Sequence, residues 1–186
     1  MIRFALLFVS ALLSAADPAR LTRDLDEIGR IAGVMVDGDV CERIVTPRAL
    51  GKMLKEDPRD QWAGADNYDV NDSAFNQTKK TLQRLSLLVD FPCDVNLWMP
   101  LKTAPPRIHI VIRNRNEMSQ FWPWGTLHQE MIPSMKKVLD TGQRLTVRDK
   151  PGWISVLAPV RNSLGDIVGL VEAVTRINPD PHENVK

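Results

Sequence analysis

The spacing of apolar residues changes near Pro92, and this change limits the folds that the chain can adopt. Before that proline the apolar residues recur every three or four positions, as in Leu21, Leu25 and Ile28, which is typical of amphipathic helices. After it they alternate with other residues, most regularly between 107 and 113, which is typical of strands. Helices followed by a group of strands predict an α+β domain.

Three helices are expected before Pro92. Asp17-Pro18 and Thr46-Pro47 each combine an N-cap residue with proline in the first turn, so each predicts a helix start. A third helix is expected from about Ser73, with its apolar stripe ending at Val89. The polar segment between them, residues 56–70, is expected to be a loop.

Five antiparallel strands are expected after Pro92, at 94–101, 107–113, 144–148, 153–161 and 167–176, with a helix from Ile132 to Gly142. One face of this sheet is expected to be apolar and covered by the first or third helix. Its predicted residues are Ile108, Ile110, Ile112, Ile154, Val156, Ala158 and Val160. The opposite face is expected to mix polar, charged and aromatic side chains with a few apolar ones. Its predicted polar, charged and aromatic residues are Arg107, His109, Arg113, Trp153, Ser155 and Arg161.

The N-terminus has the features of a secretory signal. Arg3 precedes the apolar run from Phe4 to Ala16, which closes with the small residues Ser14-Ala15-Ala16. The run is shorter than the roughly 20 residues that cross a bilayer. We expect residues 1–16 to be a signal peptide, 17–177 a single domain and 178–186 a frayed tail, which predicts a periplasmic or secreted protein. The alternative is an N-terminal helix buried in the fold.

Charge and cysteine content narrow the possible functions. The 24 basic and 23 acidic residues are interspersed and leave a net charge of +1, so no clustered basic face indicates nucleic-acid binding. In an oxidising compartment Cys41 and Cys93, the two cysteines, are expected to form a disulfide. The alternative is a pair of buried thiols.

The last two predicted strands carry a family resemblance. The stretch Gly152-Trp153-Ile154-Ser155-Val156-Leu157-Ala158-Pro159-Val160-Arg161-Asn162, followed by Gly165-Asp166-Ile167-Val168-Gly169-Leu170-Val171-Glu172, resembles the terminal hairpin of Cache domains. These are PAS-like sensor domains of extracytoplasmic receptors. The resemblance implies a five-stranded antiparallel sheet with a long N-terminal helix on one face and a small-molecule pocket on the other. It also implies sensing of amino acids, organic acids or other small metabolites without catalysis.

The segment from Arg113 to Gly125 is the strongest candidate for a binding site. It holds two arginines, two asparagines and three aromatic residues within thirteen positions, and binding sites combine apolar walls with a few polar groups. Guanidinium groups suit anionic or zwitterionic ligands. The predicted ligand-binding residues are His109, Arg113, Trp122, Trp124, Trp153 and Arg161. The alternative is that the tryptophans fill the end of the core.

Other chemistry has little support in the sequence. No serine lies in a GxSxG motif, and the spacing of His109, His128 and Glu130 does not require a metal. We therefore expect no catalytic residue, metal site or cofactor. The predicted function is an exported sensor-type module that binds a small molecule, with a membrane receptor or another envelope protein as a partner. The alternatives are a protein-interaction module with a filled pocket and an enzyme of unrecognised type.

Overall fold

A computed structural model describes residues 17–55, 69–123 and 126–177. Five helices are described: α1 (Pro18–Met35), α2 (Gly38–Cys41), α3 (Pro47–Met53), α4 (Asp72–Ser86) and α5 (Pro133–Thr141). Six strands are described: β1 (Asp94–Leu101), β2 (Arg107–Ile112), β3 (Gln129–Glu130), β4 (Leu145–Val147), β5 (Trp153–Arg161) and β6 (Ile167–Arg176). The predicted signal peptide and tail lie outside the described residues. None of the helices in these three ranges is long and apolar enough to cross a membrane.

The predicted helix starts are confirmed by their caps. The Asp17 carboxylate accepts a hydrogen bond from the backbone N–H of Ala19 at 2.9 Å, and the Thr46 hydroxyl accepts one from Ala49 at 3.1 Å. Short polar side chains at these positions satisfy N–H groups that have no partner within the helix. Helix α2, which the Asp37 side chain caps, was not among the three helices expected before Pro92.

The strands form one antiparallel sheet in the order β3-β2-β1-β6-β5-β4. The α+β class is confirmed, but the sheet has six described strands and the expected number of five is wrong. The additional strand, β3, is only two residues long and pairs with β2 at the edge of the sheet. Two residues are too few to show an alternating pattern in a sequence.

A register shift in the pairing of β1 with β2 changes which side chains share a face. Leu97 pairs with Ile112, while the next residue, Trp98, pairs with Ile110. Val111 is therefore an extra residue in β2, as in a β-bulge. One extra residue reverses the facing of everything beyond it, so the expectation that Ile110 and Ile112 share one face is wrong.

We call the side of the sheet covered by α1 and α4 the helix face. Helix α1 packs on β5 and β6, and α4 packs on β1, which confirms that the first and third predicted helices cover an apolar face. The predicted side chains of β5 are fully buried in this core: Ile154, Val156, Ala158 and Val160. Of the three predicted isoleucines of β2, only Ile112 belongs to it.

We call the opposite side the loop face, because α5 and the loop 113–123 cover it. Its core comprises Trp98, Ile108, Ile110, Met135, Val138, Val147, Leu157 and Leu170. Phe121 and Trp122 of the loop pack against this cluster. The space over the sheet is thus occupied by the protein's own side chains.

The predicted disulfide between Cys41 and Cys93 is not formed, and this expectation is wrong for the structure. Both cysteines are buried as free thiols, and each has its own neighbours. Cys41 interacts with Thr78 of α4, whereas the Cys93 thiol lies 3.7 Å from the carbonyl oxygen of Asp94. Burial raises the pKa of each thiol to about 12, so both behave as small apolar side chains.

Candidate functional site

The carboxylate of Glu172 lies buried in the middle of the loop face, with an exposed fraction of 0%. Five donors converge on it from the sheet and from the loop 113–123. At Oε2 they are Ser119 Oγ (2.7 Å), Trp98 Nε1 (3.1 Å) and Asn96 Nδ2 (3.5 Å), and at Oε1 they are Gln120 N and Ser155 Oγ (2.9 Å each). A buried charge is tolerated only when it is hydrogen-bonded in this way.

The two serines extend this network because a hydroxyl donates and accepts at once. Ser119 Oγ accepts from the backbone N–H groups of Phe121 and Trp122 at 3.1 and 3.2 Å. Ser155 Oγ accepts from the Gln120 side-chain amide at 2.8 Å. The loop and the sheet are therefore joined by a chain of hydrogen bonds that all point toward one carboxylate.

A second buried carboxylate, Asp94 at the start of β1, holds the beginning of the same loop. It accepts hydrogen bonds from the backbone N–H groups of Asn116 (3.1 Å) and Met118 (2.9 Å) and from the Asn116 side-chain amide (2.9 Å). Asn96, between the two acids in space, accepts from Asn114 N at 3.0 Å. Residues 114–120 are thus anchored at two points on the sheet.

Burial changes the protonation of both acids. It raises the pKa of Glu172 and the pKa of Asp94 above their ordinary values, while the hydrogen bonds that each accepts act in the opposite direction. With five donors around it, Glu172 offers no open position to a substrate in this arrangement. The network can position the loop over the sheet.

The structure brings two of the predicted ligand-binding residues together. The Arg113 guanidinium stacks on the Trp122 ring at 4.4 Å from its centroid, and the Arg113 side chain is only 17% exposed. Glu117 Oε1 also lies 3.5 Å from Arg113 Nη1. Arg113 and Trp122 thus form an aromatic and cationic wall on the loop itself.

The other predicted residues lie elsewhere. Trp153 begins β5, where Lys150 and Arg176 lie 4.5 and 4.6 Å from its ring, and Arg161 ends the same strand. Eight residues of strand correspond to roughly 26 Å, so these two do not meet. Arg161 is exposed and donates to the carbonyl oxygen of Gly165 at 2.8 Å. Trp124 lies outside the described residues.

His109 lies on the helix face, opposite Arg113 and Trp153, because the extra residue Val111 changes the facing of β2. It is 4% exposed, and within the ranges that the structure describes its Nδ1 atom has no hydrogen-bond partner. Burial lowers the pKa of His109 to about 4, so the side chain is neutral at physiological pH. The six predicted residues therefore do not form one cluster.

A surface groove of about 440 Å³ lies between α1 and residues 88–90. Apolar side chains from both segments line it, with charged residues at its rim: Arg20, Asp24, Glu27, Ile28, Ile31, Leu88, Val89 and Asp90. Its charges already pair with one another, as Arg20 does with Asp90 at 2.6 Å. Exposed ion pairs in an open groove are worth little, so we give more weight to the enclosed network around Glu172.

The sequence pattern did not single out the residues that organise the loop face. Glu172 interrupts the apolar run of β6, and Asp94 and Asn96 stand at the start of a strand that is otherwise apolar. A charged residue inside an apolar strand is the one sequence signal for such a network, because a buried charge needs hydrogen-bond partners. Its partners Ser119 and Gln120 lie more than fifty residues away, so no local pattern could identify them.

No family model matches this chain, and no curated protein matches it. Among solved structures, the chain is similar to the crystal structure of the A. aeolicus nlh2 GAF domain in an inactive state. The identity is 10%, the match covers 73% of this chain and 81% of that chain, and the TM-score is 0.37. At this score neither a family nor a function follows from the likeness, and the Cache resemblance is not confirmed.

Within the described ranges, no three histidine, cysteine or acidic residues lie close enough to hold a metal ion.

Proposed function

We propose that this chain is a sensor-type module that binds a small molecule, works outside the cytoplasm and catalyses no reaction. The observation that carries the proposal is the loop 113–123, which two buried carboxylates anchor over a sheet face. Loops held by a rigid scaffold are where proteins most often bind ligands. Arg113 and Trp122, stacked on this loop, supply the cationic and aromatic surface.

The expected ligand is an anionic or zwitterionic metabolite. An arginine can donate two parallel hydrogen bonds to a carboxylate, and Trp122 offers an apolar surface beside it. Export follows from the predicted signal peptide at residues 1–16, and the partner would be a membrane receptor or another envelope protein. The Cache resemblance of the β5–β6 hairpin agrees with this class of function.

A thermal-shift screen of amino acids and small carboxylates tests the proposal. A ligand at 100 times its Kd stabilises the folded state by about 2.7 kcal/mol, which corresponds to a rise in Tm of roughly 5–11 °C for a domain of this size. No rise with any compound would contradict the proposal.

Arg113→Ala and Arg161→Ala form a matched pair for the same screen. Both remove a guanidinium, but Arg113 is stacked on the loop and Arg161 is exposed at the far end of β5. We expect the ligand-induced shift to be lost in R113A and kept in R161A. Equal loss in both variants would show that the loop does not form the site.

A protein-interaction module is the second candidate, favoured by the filled space under the loop and by two exposed leucines. Leu87 and Leu88 are 71% and 57% exposed beside the groove along α1. Replacing both with serine should leave stability unchanged and weaken binding to an envelope receptor, whereas Leu164→Ser, at an exposed turn, should not. Binding that is unaffected by the double variant would contradict this candidate.

A further inference from the structure

Apolar side chains line the groove between α1 and residues 88–90, and some of them are exposed. Ile31 and Val89 are partly buried and pack against the core of the helix face. Leu88 also lines the groove, and both Leu88 and its neighbour Leu87 are more than half exposed. Exposed apolar residues that stand singly are ordinary, whereas a connected group of them marks an interaction surface. The apolar surface of the groove therefore continues from the core to the solvent.

The same surface extends along α1. Met35 lies four residues after Ile31, so the two side chains lie on the same side of the helix, one turn apart. Met35 is also more than half exposed. From Arg20 to Met35 the helix rises by about 22 Å, which is the length of another helix of about 15 residues. We call the apolar residues along this length the groove surface: Ile28, Ile31, Met35, Leu87, Leu88 and Val89.

The charges of the groove are concentrated at one end and are mainly acidic. Three carboxylates line the groove, Asp24, Glu27 and Asp90, with Arg20 as the one basic residue of the lining. Arg20 is shared by two of the acids, at 3.4 Å from Asp24 and 2.6 Å from Asp90. The third acid, Glu27, pairs with Arg30. One guanidinium between two carboxylates leaves a negative charge at the end of the groove beside the start of α1.

We propose that the groove surface binds an amphipathic helix of a partner protein, with lysine or arginine side chains at one end of its apolar face. An apolar groove binds such a helix along its apolar stripe. In this arrangement the apolar face covers Ile31, Met35 and Leu88, and the basic end lies beside Asp24 and Asp90. The inference deepens the second candidate function by naming the chemistry of the partner, and it does not depend on ligand binding at the loop.

A second copy of this chain fits the groove less well. A two-fold dimer brings the same surface from each subunit. With the two α1 helices parallel, Asp24 and Asp90 of one subunit would face the same acids of the other. With the helices antiparallel, these acids would face the apolar end at Met35. Neither arrangement supplies a positive charge to the acidic end, whereas a basic helix does.

Binding of two synthetic helices to the unaltered full chain tests the proposal. Both probes are fluorescently labelled, about 15 residues long, and carry leucine along one face. One probe has lysines in its terminal turn, and the other has glutamates there. By fluorescence anisotropy at low salt, we expect the lysine probe to bind at least about fivefold more tightly. Sodium chloride should reduce this difference, because it screens exposed charges.

Three results would overturn the proposal. The first is the absence of saturable binding of the lysine probe. The second is equal affinity for the two probes at low salt. The third is a dimer of the chain alone, seen by sedimentation velocity, that Leu88→Ser dissociates, because the groove would then be occupied by a second copy.

Matched variants test the apolar and the charged parts of the groove separately. Leu88→Ser should weaken binding of the lysine probe at least about tenfold, whereas Leu164→Ser, at the exposed turn between β5 and β6, should not. Asp90→Asn should reduce the preference for lysine over glutamate, whereas Asp166→Asn, in that same turn, should keep it. All four positions are exposed, so the variants should keep the fold. Unchanged binding in L88S, or an unchanged preference in D90N, would overturn the proposal.

The measurements distinguish this proposal from the functions proposed above. R113A should leave binding of the lysine probe unchanged, because the loop lies on the opposite face of the sheet. If replacement of Leu87 and Leu88 weakened binding to an envelope receptor but the lysine probe did not bind, the interaction module would stand and the basic helix would be wrong.

Discussion

The two faces of the sheet differ in how completely their buried polar groups are hydrogen-bonded. On the loop face, Glu172 and Asp94 are surrounded by donors from the loop and the strands. On the helix face, the β2–β3 register places His128 opposite His109, both are buried, and His109 Nδ1 has no hydrogen-bond partner within the described residues. The buried acids of the loop face are therefore surrounded by donors, whereas His109 of the helix face is not fully paired there.

The difference also appears in the expected pH dependence of stability. Burial raises the pKa of Glu172 and Asp94 but lowers the pKa of His109 and His128. Each shift favours the neutral form in the folded state. The acids therefore contribute most stability at low pH, and this contribution is lost as the pH rises through their folded pKa values. The histidines contribute most at neutral pH, and their contribution is lost on acidification.

Glu172→Gln is expected to have the largest effect. Each oxygen of Glu172 faces a donor that cannot become an acceptor, Trp98 Nε1 at one and Gln120 N at the other. In either orientation, the NH₂ group of the glutamine would therefore face an N–H donor and not an acceptor. We expect a loss of about 4 kcal/mol in the free energy of unfolding, measured by urea denaturation.

Glu42→Gln is the matched control for that measurement, because Glu42 is exposed at the end of α2. Its expected effect is within about 0.5 kcal/mol. If E172Q lowered the free energy of unfolding as little as E42Q, the loop would not depend on the buried carboxylate. The two faces would then not differ in the way described above.

The sequence was sufficient to predict the main elements but not how the side chains meet. The helix starts at Asp17 and Thr46 and the five longer strands follow from local patterns, since caps and alternation depend on near neighbours. The extra residue Val111 could not be predicted, because a bulge is a relation between two strands. It separates His109 from Arg113, so the expected grouping of site residues did not form in the structure.

Lowering the pH should remove the contribution of His109, on the helix face, to the free energy of unfolding. His109 has a pKa of about 4 in the folded state and 6.5 as its ordinary value. Between these pH values the unfolded chain binds a proton that folded His109 excludes, so the contribution of His109 to stability falls as the pH falls, by roughly 3 kcal/mol. The raised pKa values of Glu172 and Asp94 act in the opposite direction, so the difference between wild type and H109Q isolates the histidine. Urea denaturation at several pH values from 7 to 4 measures this slope.

His109→Gln should reduce the slope of stability against pH over that range, whatever its effect on stability at neutral pH. H182Q keeps both buried histidines and should retain the wild-type slope. A wild-type slope in H109Q would mean that another group controls the acid response, and the assignment to the helix face would be wrong.

Gly169→Ala tests how tightly β6 packs against β1. A Cβ atom at Gly169 would lie 2.7 Å from the backbone oxygen of Trp98, and backbone cannot move aside as a side chain can. We expect a loss of about 2 kcal/mol in urea denaturation. Gly51→Ala, within α3 with nothing near its added Cβ, should instead stabilise by about 0.5–1 kcal/mol. Destabilisation of equal size in both would contradict the packing argument.

The smallest expected effect concerns two of the cation–aromatic contacts, Arg113 with Trp122 and Lys150 with Trp153. Arg113 stacks on Trp122 with its side chain only 17% exposed, whereas Lys150 lies over Trp153 from an exposed position. Because water weakens such contacts, R113A should lower the free energy of unfolding by about 1 kcal/mol and K150A by no more than about 0.5 kcal/mol. If K150A lowered the free energy of unfolding more than R113A, the stacking of Arg113 on Trp122 would be weaker than an exposed contact. That result would argue against a well-ordered cationic surface at Arg113.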